Sequence, residues 1–313
     1  MRIKFTRSGF FALLLAVGLS IGAAAQTPPS AQLTAHLQTF ATPEAAAEML
    51  TEAIRKDDDK TVAAILGAGW RDLIPGNKEE EENEVRRNYL AAWDEAHKIV
   101  LEGDKKALIQ VGKTAFNMAI PIVRDGNTWR FDVEAGQDEI QARYIGRNEL
   151  TVVQTLLAIV DAQREYATLD PMKTGVGTYA RRLLSSPGRK DGLYWESKPG
   201  EPESPLGPRL AKAQPGATEG DGYFGYHYRL LYGQGPAAPG GEYSYLVNNR
   251  MIGGFGAIAW PVRYGETGVM TFIVSHSGEV YEQDFGPDTS QRVSTINFFN
   301  PDKGWEKADA TPP

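Results

Sequence analysis

The chain has 313 residues, 33 Lys and Arg against 40 Asp and Glu for a formal charge of -7, and no cysteine. The missing cysteines exclude disulfides, thiol catalysis and thiolate metal sites, and the acidic balance speaks against nucleic acid, whose phosphates are bound through surplus cations. At roughly 100 to 200 residues per domain, this length accommodates two cores.

The first 25 residues, "MRIKFTRSGFFALLLAVGLSIGAAA", join Arg2, Lys4 and Arg7 to an apolar run from Phe10 to Ile21 and then to small residues ending Ala23 to Ala25. That order is a secretory signal peptide with its cleavage site. The run is shorter than the roughly 20 apolar residues a membrane span needs, so no span is expected after cleavage. Removal takes three cations and no anions, moving the formal charge from -7 to -10. No cysteine follows the run to carry a lipid, and the mature chain is expected to be soluble and periplasmic or secreted. Residues 26–40 are polar and proline-bearing, a flexible lead-in.

Helix signals follow. Thr42 suits a cap and Pro43 a first helical position, ahead of Ala46, Met49, Leu50, Ala53 and Ile54 at helical spacing. "DDDKTVAAILG" repeats the logic, with acids at its start and Gly67 at its end. "KEEEENEVRRNYLAAWDEAHKIV" predicts a third helix with Val85, Tyr89, Ala92, Trp93 and Ala96 on one stripe and His97 in its last turn. Its acidic run is a solvated first turn that complements the helix dipole. After Gly103 the period becomes two, in "KKALIQVG", "FNMAIPIV" and "TWRFDVE", with "RDGN" marking a hairpin between the last two. Three helices and then an antiparallel sheet give an α+β domain over residues 41–140. This order, with its closing "WRFD" strand, resembles the cystatin-like cone of the nuclear-transport-factor-2 superfamily, which implies a helix-covered sheet with room for an apolar pocket and no particular chemistry.

Composition breaks over Ala135 to Gly146, and a second α+β domain, residues 147–313, is expected to open on the helix "RNELTVVQTLLAIVDAQREYATLD", with Leu150, Val153, Leu157, Val160 and Tyr166 on its apolar face. "DPMKTGVGTYARRLLSSPGRKDGLYW" reads as loop, short helix and loop, and "ESKPGEPESPLGPRLAKAQPGATEGDG" as an extended surface excursion. From Tyr223 onward short strands alternate with turns.

Six glycines fall within "GGFGAIAWPVRYGETGVMTFIVSHSG", residues 253–278. A phosphate-binding loop leads from a strand directly into a helix. "GGFGAIAWPV" leads instead into a strand and a proline, so these glycines read as turns and close approaches within a sheet.

The same stretch, with "GRKDGLYW", "IGRNEL" and "GQGPAAPGGEYSYLVNN" before it and "EVYEQDFGPDT" after it, resembles the bacterial domain-of-unknown-function family 2950 of exported proteins. The likeness spans nearly the whole mature chain. It implies the compartment and carries no activity. A helix ending in "REYATL", then a loop, then a sheet containing "YGETGVMTFIVSHSG", also resembles the globular part of type IV pilins and pseudopilins. A folded domain, not a hydrophobic anchor, precedes that helix here.

Candidate sites are sparse. The four histidines, His36, His97, His227 and His276, lack metal-ligand spacing, and a cluster of His227, His276 and Asp284 would need convergence in the fold. No metal and no cofactor are expected. Ser185 and Ser186 follow a presumed helix rather than opening one, which suits turn chemistry and not a nucleophile. Tyrosines are dense: Tyr223, Tyr226, Tyr228, Tyr232, Tyr243 and Tyr245 fall within 23 residues. In alternating strands one face packs inward, and the other would expose aromatics suited to sugars or protein partners. The candidate ligand residues are therefore Tyr226, Tyr228 and Tyr245, with Arg229 and Arg250 to orient an anionic group and His276 nearby. The favoured reading is a non-enzymatic envelope module that binds an envelope protein or polysaccharide. The alternatives are an envelope hydrolase with a site between the domains and a pilin-like assembly component.

Overall fold

A computed structural model describes residues 37–74, 79–213 and 222–309. The expected signal peptide, residues 26–36 of the lead-in and residues 214–221 of the Pro/Gly excursion lie outside the described residues. The fold is α+β, with helices and antiparallel strands in both of its compact units. One unit holds residues up to Phe116 together with Ile122–Val133, and the other holds Asn117–Pro121 together with Glu134 onward.

In the first unit, α1 (Pro43–Arg55) starts where Thr42 Oγ1 accepts the Ala45 N–H at 3.1 Å, satisfying one of the orphan donors of a helix start. Asp58 does the same for α2 (Asp59–Leu66), taking the Thr61 N–H at 3.1 Å, and Gly67 ends that helix at a φ of 92°. The third helix, α3, spans Glu79–Glu95 and stops before the expected "HKIV". Those residues form β1 (His97–Glu102), paired antiparallel with β2 (Lys106–Val111) so that Ile99 lies opposite Ile109. Ile99 and Val100 are β-branched, and a partner strand turns that preference into sheet. His97 consequently opens a strand rather than closing a helix, its ring stacked 3.9 Å from that of Trp93.

β3 (Phe116–Asn117) pairs with β2, and β4 (Ile122–Asp125) and β5 (Thr128–Phe131) make the expected hairpin around Gly126, giving the order β1-β2-β4-β5. Phe40 bridges to Trp129. Leu50, Ile65, Ile109, Ile122 and Phe131 are all buried in this unit.

A single helix, α4 (Val133–Leu169), runs for 37 residues. Residues 135–146, where the composition changes, are helical throughout. Good helix formers outnumber the two glycines there. Gly136 has a packing reason as well: a Cβ at that position would sit 2.7 Å from Ile120 Cγ1. The short helix expected between Asp170 and Trp195 is also missing. That segment is held by tertiary bonds instead, chiefly the buried Gln163 side chain, which takes the Ala180 N–H at 2.8 Å and donates to the Ala180 carbonyl at 2.9 Å. A brief α5 (Pro208–Ala211) follows.

The second unit's sheet has the order β14-β13-β12-β11-β6, formed by β6 (Tyr226–Leu231), β11 (Gly256–Pro261), β12 (Met270–Ser275), β13 (Val280–Asp284) and β14 (Glu306–Lys307). Two small pairs lie beside it: β7 (Gly233–Gln234) with β8 (Tyr243–Ser244), and β9 (Leu246–Val247) with β10 (Arg250–Met251). On one face Tyr226, Tyr228, Ala257, Phe272 and Val274 pack with Val152, Leu156, Ile159 and Val160 of α4 and with Leu193 and Trp195. On the other face Leu231, Ile258, Trp260 and Ile273 pack under Val293 of α6 (Thr289–Val293) and under Phe299, with Ile296 and Trp305 at the margin.

The glycine-rich stretch enters β11 and its turns, not a helix. Gly268 shows why a glycine is required: a Cβ there would run into the ring and hydroxyl of Tyr226.

Candidate functional site

Because both faces of the five-stranded sheet are covered, the alternating tyrosines do not make an exposed platform. Tyr226, Tyr228 and Tyr245 are fully buried. Tyr226 donates to the Met270 carbonyl at 3.0 Å and Tyr245 to Gln234 Oε1 at 3.0 Å, so their polar tips are spent inside the core. Arg229, on the opposite face, donates to the carbonyls of Val293 (2.9 Å) and Ile296 (2.7 Å) and to Asn297 Oδ1 (3.1 Å). Burial lowers its pKa, yet a guanidinium remains charged at any physiological pH. It is a strut between β6 and the segment after α6. Arg250 is exposed at the start of β10, with its charge felt by Asp170.

Of the six candidates, Tyr245 and His276 do meet, their rings edge to face at 5.7 Å. Burial holds His276 below the ordinary histidine pKa, and its Nδ1 is buried without a partner. His227 pairs in register with Trp260, whereas Ser275, next to His276, pairs with Gly256. The two histidines thus lie at opposite ends of β11. Among the described residues, no three His, Cys, Asp or Glu side chains are placed to hold a metal ion.

Two open depressions are formed by described residues of the second unit. The first, of about 350 Å³, is lined by Phe285, Phe298, Trp305 and the polar side chains of Gln283, Asn297, Asn300 and Asp302. Phe285 and Trp305 stand edge to face, 5.5 Å apart at 88°. Phe298 is 53% exposed although its ring covers Gly233. Two of these polar groups are each fixed by one bond: Asn300 Oδ1 accepts the Ala237 N–H at 2.9 Å and Asp302 Oδ1 accepts the Gly304 N–H at 3.1 Å. Their remaining atoms, Asn300 Nδ2 and Asp302 Oδ2, are in place for a ligand. Flat apolar rings beside oriented amides and a carboxylate form an amphipathic surface.

The second depression, about 480 Å³, is lined by Arg181, Arg182, Leu184, Ser185, Ser186, Pro187 and Tyr232. Its loop is pinned by Asp191, which accepts from the Ser186 N–H at 2.7 Å and from Ser186 Oγ at 2.9 Å. Burial works to raise the Asp191 pKa, but those two bonds and the charge of Arg182 hold it below the usual carboxylate value. Ser185 Oγ takes the Gly192 N–H at 3.0 Å. Both serines are therefore turn residues, as the sequence suggested.

The family model described as Protein of unknown function (DUF2950) matches residues 37–308. The chain belongs to that family. No curated protein and no solved structure matches it.

In this DUF2950 chain a half-buried acidic group escaped the sequence reading because its members are far apart in the chain. Glu149 Oε1, on α4, accepts the N–H groups of Val269 (2.8 Å) and Met270 (2.9 Å) and the Tyr226 hydroxyl (3.4 Å). Burial first, and then the charges of Glu149, Glu306 and Asp309, push the Glu282 carboxyl above its ordinary 4.5. A carboxyl with a raised pKa binds its proton more tightly in the folded state than in the unfolded state. Stability is then lost as pH rises from the unfolded value through the folded one. Glu282→Gln is expected to leave stability unchanged near pH 4 and to raise it at pH 8, read from thermal melts at both values. An equal gain at both would place the effect in packing instead.

Proposed function

We propose that this protein is an exported cell-envelope binding module that holds a saccharide chain in the Phe285–Trp305 crevice. Export is supported by residues 1–25, whose basic, apolar and small-residue blocks follow the order of a signal peptide. The observation that carries the ligand class is the pairing of crossed aromatic rings with Asn300 and Asp302, each anchored by one backbone N–H and open at its other polar atom. A sugar ring has one face of C–H groups, which an aromatic ring covers, and a rim of hydroxyls, which amides and carboxylates bond in pairs. The crevice presents both.

Affinity electrophoresis through dextran, laminarin, xylan and galactan tests this reading. At least one glycan is expected to retard the wild type, and Trp305→Ala is expected to weaken that retardation tenfold or more while the melting transition of the second unit stays cooperative. Tenfold corresponds to about 1.4 kcal/mol, within the reach of one interfacial aromatic. Retardation by none of the glycans, or undiminished retardation of the variant, would overturn the proposal.

A further inference from the structure

The basic depression is joined to the saccharide crevice by one residue. Tyr232 lines the basic depression. Its hydroxyl donates to the Arg181 carbonyl at 3.2 Å, and its backbone N–H donates to the carbonyl of Asn297, a wall of the crevice, at 3.2 Å. The next residue, Gly233, lies under the Phe298 ring, since a Cβ there would be 2.6 Å from Phe298 Cδ1. The two depressions are neighbours across a single tyrosine.

Charge distinguishes them. The stretch Arg181 to Asp191 carries Arg181, Arg182, Arg189 and Lys190 against one acid, in a chain whose formal charge is -7. Arg181 directs one nitrogen to Asn249, with Nη1 donating to Oδ1 at 2.8 Å, while its Nε is buried without an acceptor. The Arg182 side chain is exposed at the rim, where its charge also reaches Asp191. The open guanidinium of Arg182, beside the charge of Arg181 in one polar depression, suits an oxyanion, which can take two parallel N–H bonds from an exposed fork.

We infer that the ligand is an acidic glycan, whose sugar rings lie on Phe298 and Trp305 and whose carboxylate or phosphate group is taken by Arg181 and Arg182. This rests on the saccharide reading of the crevice and adds the substituent that selects among saccharides. The acidic remainder of the surface disfavours a long polyanion, so short oligomers are the stronger ligands.

Calorimetric titration of the full chain with matched oligomers tests it: galacto-oligosaccharide against oligogalacturonate, and manno-oligosaccharide against its phosphorylated form. The wild type is expected to bind a charged member at least tenfold more tightly than its neutral match, with the ratio falling as salt rises. Whichever pair shows the preference identifies carboxylate or phosphate as the group. Arg182→Gln is expected to bring the ratio to about one, and Arg182→Lys to retain part of it. Equal affinity for charged and neutral members in the wild type, or an unchanged ratio in Arg182→Gln, overturns the anion inference and leaves the crevice standing. Binding of charged members that Trp305→Ala does not weaken overturns the crevice reading and leaves the basic depression. Binding of neither kind overturns both.

Discussion

Tyr226→Ala is expected to destabilise the second unit by about 3 to 5 kcal/mol, the range for removal of a large buried aromatic. The ring has no exposed surface, packs 6.0 Å from Phe272 and abuts Gly268. Its loss opens a cavity between α4 and β12 that backbone glycine cannot fill. It also removes a donor from the Met270 carbonyl and from Glu149. Tyr226→Phe separates the two contributions, since it keeps the ring and gives up only hydrogen bonds, each worth about 0.5 to 1.5 kcal/mol. Urea unfolding of both variants measures the difference. A loss below about 1 kcal/mol for the alanine variant would mean that the ring is not the keystone its burial indicates.

Phe299→Ala should cost a similar amount, about 3 to 5 kcal/mol, on the opposite face of the same sheet. Phe299 is 1% exposed, edge to face with Tyr281 at 5.8 Å, and its backbone is stitched to β7 by bonds from its N–H to Gly233 and from Gly235 to its carbonyl, each 2.9 Å. Its neighbour Phe298 provides the control. With half its surface already in water, Phe298→Ala is expected to change unfolding free energy by only about 0.5 kcal/mol, as for other surface positions. Comparable losses for the two would contradict the burial of Phe299 beneath the sheet.

Local signals in the sequence were read well where local chemistry decides the outcome. The Thr42 and Asp58 caps, Gly67 at the end of α2, the hairpin at Gly126 and the strand character of the glycine-rich stretch all depend on a few adjacent residues. Errors arose where a distant partner decides. "HKIV" continues a helical stripe until Lys106–Val111 offers it a strand to pair with. The composition change over residues 135–146 gives no sign that one helix runs through it, or that Ile120 needs the space beside Gly136. The tyrosine alternation is real, but alternation predicts one wet face only when a single layer covers the sheet. Here α4 covers one face and residues 289–305 the other.

The Phe285–Trp305 crevice was illegible for a related reason. Its aromatics, Phe285, Phe298 and Trp305, lie in irregular chain after β13 and follow no period. Arg181 and Arg182 sit in a segment that reads as loop and short helix, and only the fold places Tyr232 beside them.

The second face of the sheet has a cover that is made late. β6, β11, β12 and β13 all leave the ribosome before residues 289–305, and at roughly 5 to 20 residues per second the interval lasts on the order of seconds. During it Ile258, Trp260 and Ile273 have no Phe299 or Val293 above them. A nascent chain halted at Asp288 would therefore be sticky and would lack most of the crevice walls, since seven of the ten lining residues come from Thr295 to Trp305. The crevice walls and protection from aggregation arrive together, with the same short segment.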